Sequence, residues 1–193
     1  MTHRTLAPVL ALVALASCGA DQRASNAAQG GNNVDNATVA KLNLTSTAFA
    51  DGRPIPVQYS CDGSNQSPPL SWSEPPHGTK SFALVIDDPD APSGTFRHWG
   101  VYDLPPTQQA LAAGAGAADN GSLKQSLNDS GKPGYTGMCP PKGHGPHHYH
   151  FRLFALDVAN LELPANAKVE DIEDAARGHS LADGELIGTF ERR

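Results

Sequence analysis

Two stretches of this chain concentrate side chains that could do chemistry. The first runs Asp87-Asp88-Pro89-Asp90-Ala91-Pro92 and is followed by Phe96-Arg97-His98-Trp99. An acidic group ending one strand, with His98 opening the next, would bring carboxylate and imidazole together across a hairpin-like return. A carboxylate that accepts from one imidazole nitrogen fixes the tautomer and aims the other nitrogen at a ligand. The same residues also suit an Asp/Pro loop whose carboxylates cap turns beside a half-exposed histidine. The second stretch, Gly134 to His150, reads GYTGMCPPKGHGPHHYH. Its glycines and prolines stiffen an irregular backbone whose N–H groups, at Gly137 to Cys139, could line an anion nest. With a strand starting at His147, period two puts His147, Tyr149 and Phe151 on one face and His148, His150 and Arg152 on the other. The histidines here therefore do not converge. A zinc or copper set of His144, His148 and His150 stays open as an alternative. So does a plainer arrangement with Tyr149 and Phe151 in the core and His148 and His150 solvated.

The elements that must position these groups read mainly as strands. Ser81 to Asp87 (SFALVID) is a nearly continuous apolar run bounded by charge and proline, the pattern of a buried strand. His98 to Leu104 is a second strand, stopped by Pro105-Pro106, and Tyr149 to Asp157 carries the strongest strand signal. Glu185 to Phe190 returns to strand character. Ile55 to Tyr59 alternates weakly between the turns at Asp51-Gly52 and Cys61-Asp62-Gly63. Thr107 to Leu123 is rich in small residues and reads as a loop or a poor short helix. Val169 to Arg177 predicts a helix with Gly178 just past its end. Strands without regular βαβ alternation imply a mainly β fold, an antiparallel β-sandwich-like domain with a few peripheral helices.

The chain has 193 residues, a net charge of −6 and only 18% charged residues. That suits one domain with a tail, and no basic stripe exists to neutralise phosphates, which excludes a general nucleic-acid binder. Arg4 and the short apolar stretch Leu6 to Ala16 form an export signal, too short to span a bilayer. It ends Leu15-Ala16-Ser17-Cys18, similar to the bacterial lipobox, in which the cysteine thiol receives a diacylglycerol and becomes the first mature residue. The alternative is an ordinary secretory signal cut near Ala16 or Ala20. Gly19 after the cysteine, by resemblance, favours the outer membrane of a Gram-negative envelope. The expected organisation is a signal peptide over 1–17, a tether over 18–40 of small and polar residues, and a folded domain over 41–193. With Cys18 given to lipid, Cys61 and Cys139 remain. In an oxidising compartment they suit a disulfide worth roughly 4 kcal/mol, against two buried thiols or a metal pair.

DDPDAP followed by HW, then GYTG, CPP and H-x-Y-x-F ahead of ALD, resemble the two signature regions of the phosphatidylethanolamine-binding protein family. The resemblance is closest to its bacterial Raf-kinase-inhibitor-like branch. CDGSNQSPPLSW (61–72), LNDSGKPGY (127–135) and ARGHSLADGELIGTFERR (176–193) extend it over about residues 42 to 192. Met138 stands where a proline is common, and His148 where an arginine often lies between the motif's His and Tyr. The resemblance implies a β-sandwich-like fold with a small pocket for phosphate, acetate or a phospholipid headgroup. Carried over residue by residue, Asp88, Asp90, His98, Pro140, Pro141, His147 and Tyr149 would line it. The Gly137 to Cys139 amides would add donors. Asp88 and Asp90 would orient the imidazoles and favour their protonated form. No cofactor, metal or catalysis is expected of such a binding protein. Two other classes stay open: a regulator docking a partner protein through the pocket, and a phosphoester hydrolase using His98 or His147 as base with Asp88. The latter lacks an evident nucleophile, with Ser93 and Thr95 in a loop.

Overall fold

The structure, a computed structural model, describes residues 40–73 and 75–193. The signal segment, Cys18 and the tether up to residue 39 lie outside the described residues. Strands β1 (Ala40–Lys41), β2 (Asn43–Thr45), β3 (Arg53–Pro54), β4 (Leu70–Ser73) and β5 (Ser81–Asp88) are followed by β6 (Phe96–Leu104) and β7 (Ala110–Leu111). Then come β8 (Lys124–Gln125), β9 (His147–Leu156), helix α1 (Val169–Arg177) and β10 (Ser180–Phe190). A seven-stranded sheet in the order β1-β10-β9-β5-β6-β8, with β3 also on β10, packs over a three-stranded sheet in the order β2-β4-β7. The pairings are antiparallel except for β1 and β3, two-residue edges that run parallel to β10. The expected sandwich-like, mainly β architecture is present, and α1 occupies the span the sequence predicted.

The large sheet is covered on both faces, which explains the unbroken apolar run of β5. Phe82, Leu84 and Ile86 join Trp99, Tyr149, Phe151 and Leu153 in a core closed by Leu44, Leu70, Trp72 and Leu111 of the small sheet. Ala83 and Val85 point the other way, where Phe154, Leu156, Val169, Ile172 and Ala176 form a second core under α1. Period two along β5 and β9 therefore sorts their last polar residues as well. Asp88 and His147 fall on the sandwich side, and Asp87, His150 and Arg152 on the α1 side. On that side Arg152 bonds both Asp87 and Glu173.

Several local readings change. Ile55 to Tyr59 is not a strand: β3 stops at Pro54, and Val57–Tyr59 is a single 3-10 turn. Strand β10 begins at Ser180, five residues before the predicted start, because register with β9 carries it through Ala182-Asp183-Gly184. Gly184 is needed there, since a Cβ would stand 2.7 Å from the Leu42 carbonyl oxygen. Residues 107–123 form turns and the short β7 rather than a helix. Ala40, grouped with the tether by composition, already pairs with Ala182.

Candidate functional site

The ends of β5, β6 and β9 meet beside the 126–141 loop and leave a cleft of about 390 Å³. Asp88, Phe96, His98, Thr136, Gly137, Cys139, Pro140, Pro141 and His147 line it, with Ser93 and Ser130 also on its wall. Asp88 arrives by strand period. His98 arrives by a β-bulge: Ile86 pairs with Trp99, but the next β5 residue, Asp87, pairs with Arg97. His98 is the extra residue, so it and Trp99 are both buried, where strict alternation would have put them on opposite faces. Its ring packs edge-on against Phe96 and Tyr149, with centroids 4.8 and 5.4 Å away.

Each imidazole is held by one nitrogen. His147, 2% exposed, places Nδ1 2.8 Å from Asp88 Oδ2. A carboxylate only accepts, so Nδ1 carries the proton. The other Asp88 oxygen accepts the Asp90 amide at 2.9 Å. His98 places Nδ1 2.7 Å from the Thr136 carbonyl oxygen, while its own carbonyl accepts the Thr136 amide. Among the described residues its buried Nε2 has no hydrogen-bond partner, and neither has the Tyr149 hydroxyl behind it. Burial pushes the His98 imidazole below the ordinary histidine range, against the opposing pulls of the Thr136 carbonyl, Asp88 and Asp129. Burial, then the nearby Asp88 carboxylate, pushes the Tyr149 phenol up.

The structure separates the residues grouped by sequence. Asp88, His98, Gly137, Cys139, Pro140, Pro141 and His147 share the cleft. Tyr149 stands just behind it, fully buried and stacked on His147 at 6.5 Å. Asp90 is not among the lining groups. Its Oδ2 accepts both the amide and Nδ1 of exposed His148, each at 2.8 Å, and this bonding holds the carboxyl below the usual range. Asp90 therefore buttresses the β5–β6 turn instead of orienting a pocket imidazole. The Gly137 amide is not spare either: it donates to Asn65 Oδ1 at 2.7 Å. A Cβ on Gly137 would meet that same oxygen at 2.5 Å, so glycine permits this close approach. Burial lowers the His98 pKa, where the neighbouring carboxylates were expected to favour protonation.

The disulfide is present. Cys61 and Cys139 are bonded with Cα atoms 5.5 Å apart, tying the 3-10 turn to the cleft wall. Met138 is fully buried behind that wall, where the Tyr135 hydroxyl reaches its sulfur at 2.8 Å. His144, His148 and His150 do not converge. His148 turns to Asp90, His150 to Glu185 at 2.8 Å, and His144 Nδ1 to His147 Nε2 at 2.9 Å. That last contact makes His144 a site neighbour missed in the sequence, where it was grouped with outward-facing histidines. Its flanking glycines, Gly143 and Gly145, adopt φ of 74° and 88° and were the available signal of a tight excursion back toward the strand.

Known proteins resemble this chain in sequence and in fold. Residues 45–191 match the family described as phosphatidylethanolamine-binding protein. A UPF0098 protein of Aquifex aeolicus is 46% identical over 152 residues, covering 78% of this chain and 89% of that protein. A Mycobacterium tuberculosis protein named "Putative lipoprotein LppC" is 45% identical over 150 residues, covering 78% of this chain and 72% of its own. Among solved structures, Escherichia coli YbcL, described as a new member of the mammalian PEBP family, superposes with a TM-score of 0.75 at 34% identity. The match covers 80% of this chain and all of YbcL. The Chlamydia trachomatis homologue CT736 gives 0.71 at 42% identity, over 79% and 99% of the two chains. With that breadth of agreement in sequence and fold, the chain belongs to the phosphatidylethanolamine-binding protein family, in the bacterial branch that holds YbcL.

Proposed function

We propose that this protein binds a small phosphate- or carboxylate-bearing ligand in the cleft, without catalysis, while tethered to the cell envelope through lipid on Cys18. The observation that carries the binding reading is a buried polar atom on the cleft wall with no hydrogen-bond partner among the described residues, His98 Nε2. Leaving such a group unpaired costs about 1–3 kcal/mol, a cost that a polar ligand would remove. A cleft of about 390 Å³ is of small-molecule size. Asp88 holds His147 by Nδ1, so turning His144 outward would free His147 Nε2 for the ligand.

A binding role without turnover is favoured by the nucleophile's surroundings. Ser93 lines the cleft, yet among the described residues no hydrogen bond joins it to His98 or His147. An activated serine needs such a base in reach. The envelope reading is supported by the Leu15-Ala16-Ser17-Cys18 sequence and by a relative that bears a lipoprotein's name. Gly19 after the cysteine favours an anchor in the outer membrane, facing the periplasm.

Titration calorimetry of the full-length chain with inorganic phosphate and with acetate tests the binding. Saturable heat that disappears in His147→Ala and persists in His148→Ala supports the reading. No heat with either ligand, or loss in His148→Ala alone, contradicts it. Release of Cys18→Ser from membranes tests the anchor, and one stoichiometric protein copurifying with the cleft intact would favour a docking role.

A further inference from the structure

We propose that the cleft selects a ligand carrying a hydrogen on its anionic group, a phosphomonoester monoanion in particular, and that His98 Nε2 reads that hydrogen. The inference rests on the anion-binding reading and narrows it to one protonation form. The Thr136 carbonyl oxygen, 2.7 Å from Nδ1, can only accept, so the Nδ1 nitrogen of His98 is the donor. A neutral imidazole has one N–H, which leaves Nε2 with its lone pair. That lone pair is buried, unpartnered and on a residue lining the cleft.

The groups facing His98 keep it in this role. Asp88 approaches from β5, Phe96 from β6 with His98 itself, Asp129 and Thr136 from the 126–136 loop, and His147 and Tyr149 from β9. Two carboxylates favour a cation and His147 disfavours it, but with 3% exposure the imidazole is desolvated, and desolvation outweighs the rest. The oxygens of Asp88 are already engaged by His147 and by the Asp90 amide. A fully ionised oxyanion would set oxygen lone pairs against the Nε2 lone pair and beside the Asp88 carboxylate. A P–OH group instead donates to Nε2 and sets no lone pairs against each other there. The acidic floor, awkward for an anion, becomes a fit for a hydrogen-bearing one. A site built around a buried acceptor rejects an analogue lacking the hydrogen far more strongly than it rejects a change of size.

The test is a ligand series on the unaltered full-length chain by calorimetry at pH 6, 7 and 8. Methyl phosphate loses its P–OH with a second pKa of about 6, so its monoanion falls from about half to about 1% between pH 6 and pH 8. Its affinity should drop roughly 50-fold over that span, with each unit approaching tenfold. Inorganic phosphate keeps an OH in both ionic forms and should lose far less, and the comparison cancels any titration of the protein. Sulfate, without a hydrogen, should bind at least tenfold more weakly than inorganic phosphate. Glycerophosphoethanolamine, a headgroup diester without P–OH, should bind no better than sulfate, which separates a free monoester from a lipid headgroup as the source. His98→Phe should bring the phosphate and sulfate affinities together. Sulfate binding as tightly as phosphate, or methyl phosphate tracking phosphate across the pH range, overturns the selection while leaving anion binding standing. Tight binding of the diester overturns the choice of a monoester. Binding of none of the four overturns this inference together with the reading beneath it.

Discussion

Replacing both Cys61 and Cys139 by serine should cost about 4.5 kcal/mol of stability. The bond closes a loop of 78 residues, and the loop-closure entropy it removes from the unfolded chain scales with the logarithm of that length. At 25 °C the relation gives about 4.5 kcal/mol for this span. Little packing is lost to confuse the result, because both cysteines are exposed in the folded chain. The wall itself keeps other ties: the Cys61 amide donates to the Met138 carbonyl at 3.1 Å, and the Tyr135 hydroxyl to the Tyr59 carbonyl at 2.6 Å. The variant should therefore fold, with a melting temperature roughly 10–15 °C lower. Its urea m-value should rise, because the unlinked unfolded chain exposes more surface. Urea titrations of the native, reduced and double-serine proteins provide the comparison. A double-serine protein within 1 kcal/mol of the native one would refute the entropic account.

Three further perturbations follow from the packing and the charges. Gly188→Ala puts a Cβ 2.5 Å from Ile55 Cγ1 and 2.7 Å from Phe49 Cε2, and this overpacking should cost about 1–3 kcal/mol by urea titration. Arg152→Met strands Asp87, whose side chain is 5% exposed, and weakens the hold on Glu173; the loss should be about 3–5 kcal/mol at pH 7. Burial already raises the Asp87 carboxyl even beside Arg152. Without the guanidinium the folded state binds more protons than the unfolded one, so the variant's deficit should shrink as pH falls toward 4. His98 behaves oppositely: its folded pKa is depressed, so the unfolded chain takes up the proton first. That contribution is present above about pH 6.5 and lost on acidification. Urea midpoints from pH 7.5 to 5 should therefore fall less steeply in His98→Phe than in the native protein.

Hydrophobic pattern made the frame legible before any coordinates. The β5 run, the β9 alternation and the α1 helix with its terminal glycine each matched one burial environment, so local and tertiary preferences agreed. Period two from His147 placed both faces of β9 and sent His148 outward. What stayed hidden depended on partners. The bulge that brings His98 into the cleft is a mismatch between two strands, visible only when Asp87 is seen opposite Arg97. Asp90 sits two residues from Asp88 and was grouped with it, but the chain turns after β5 and delivers its carboxylate to His148. The front half of β10 looks like a turn in isolation and is extended because β9 supplies its hydrogen bonds. The lowered pKa of His98 comes from burial, which residue types and spacing do not report.

In the proposed function the cleft between His98 and His147 is a ligand site. Nitrogen-resolved NMR of the histidine side chains, with inorganic phosphate titrated into the full-length chain at pH 6, addresses it directly. The account predicts a neutral His98 with its proton on Nδ1 before ligand, then saturable changes at His98 Nε2 and His147 Nε2, with His148 and His179 unmoved. Saturation confined to His148 or His150, or no saturable change at any imidazole, would contradict it.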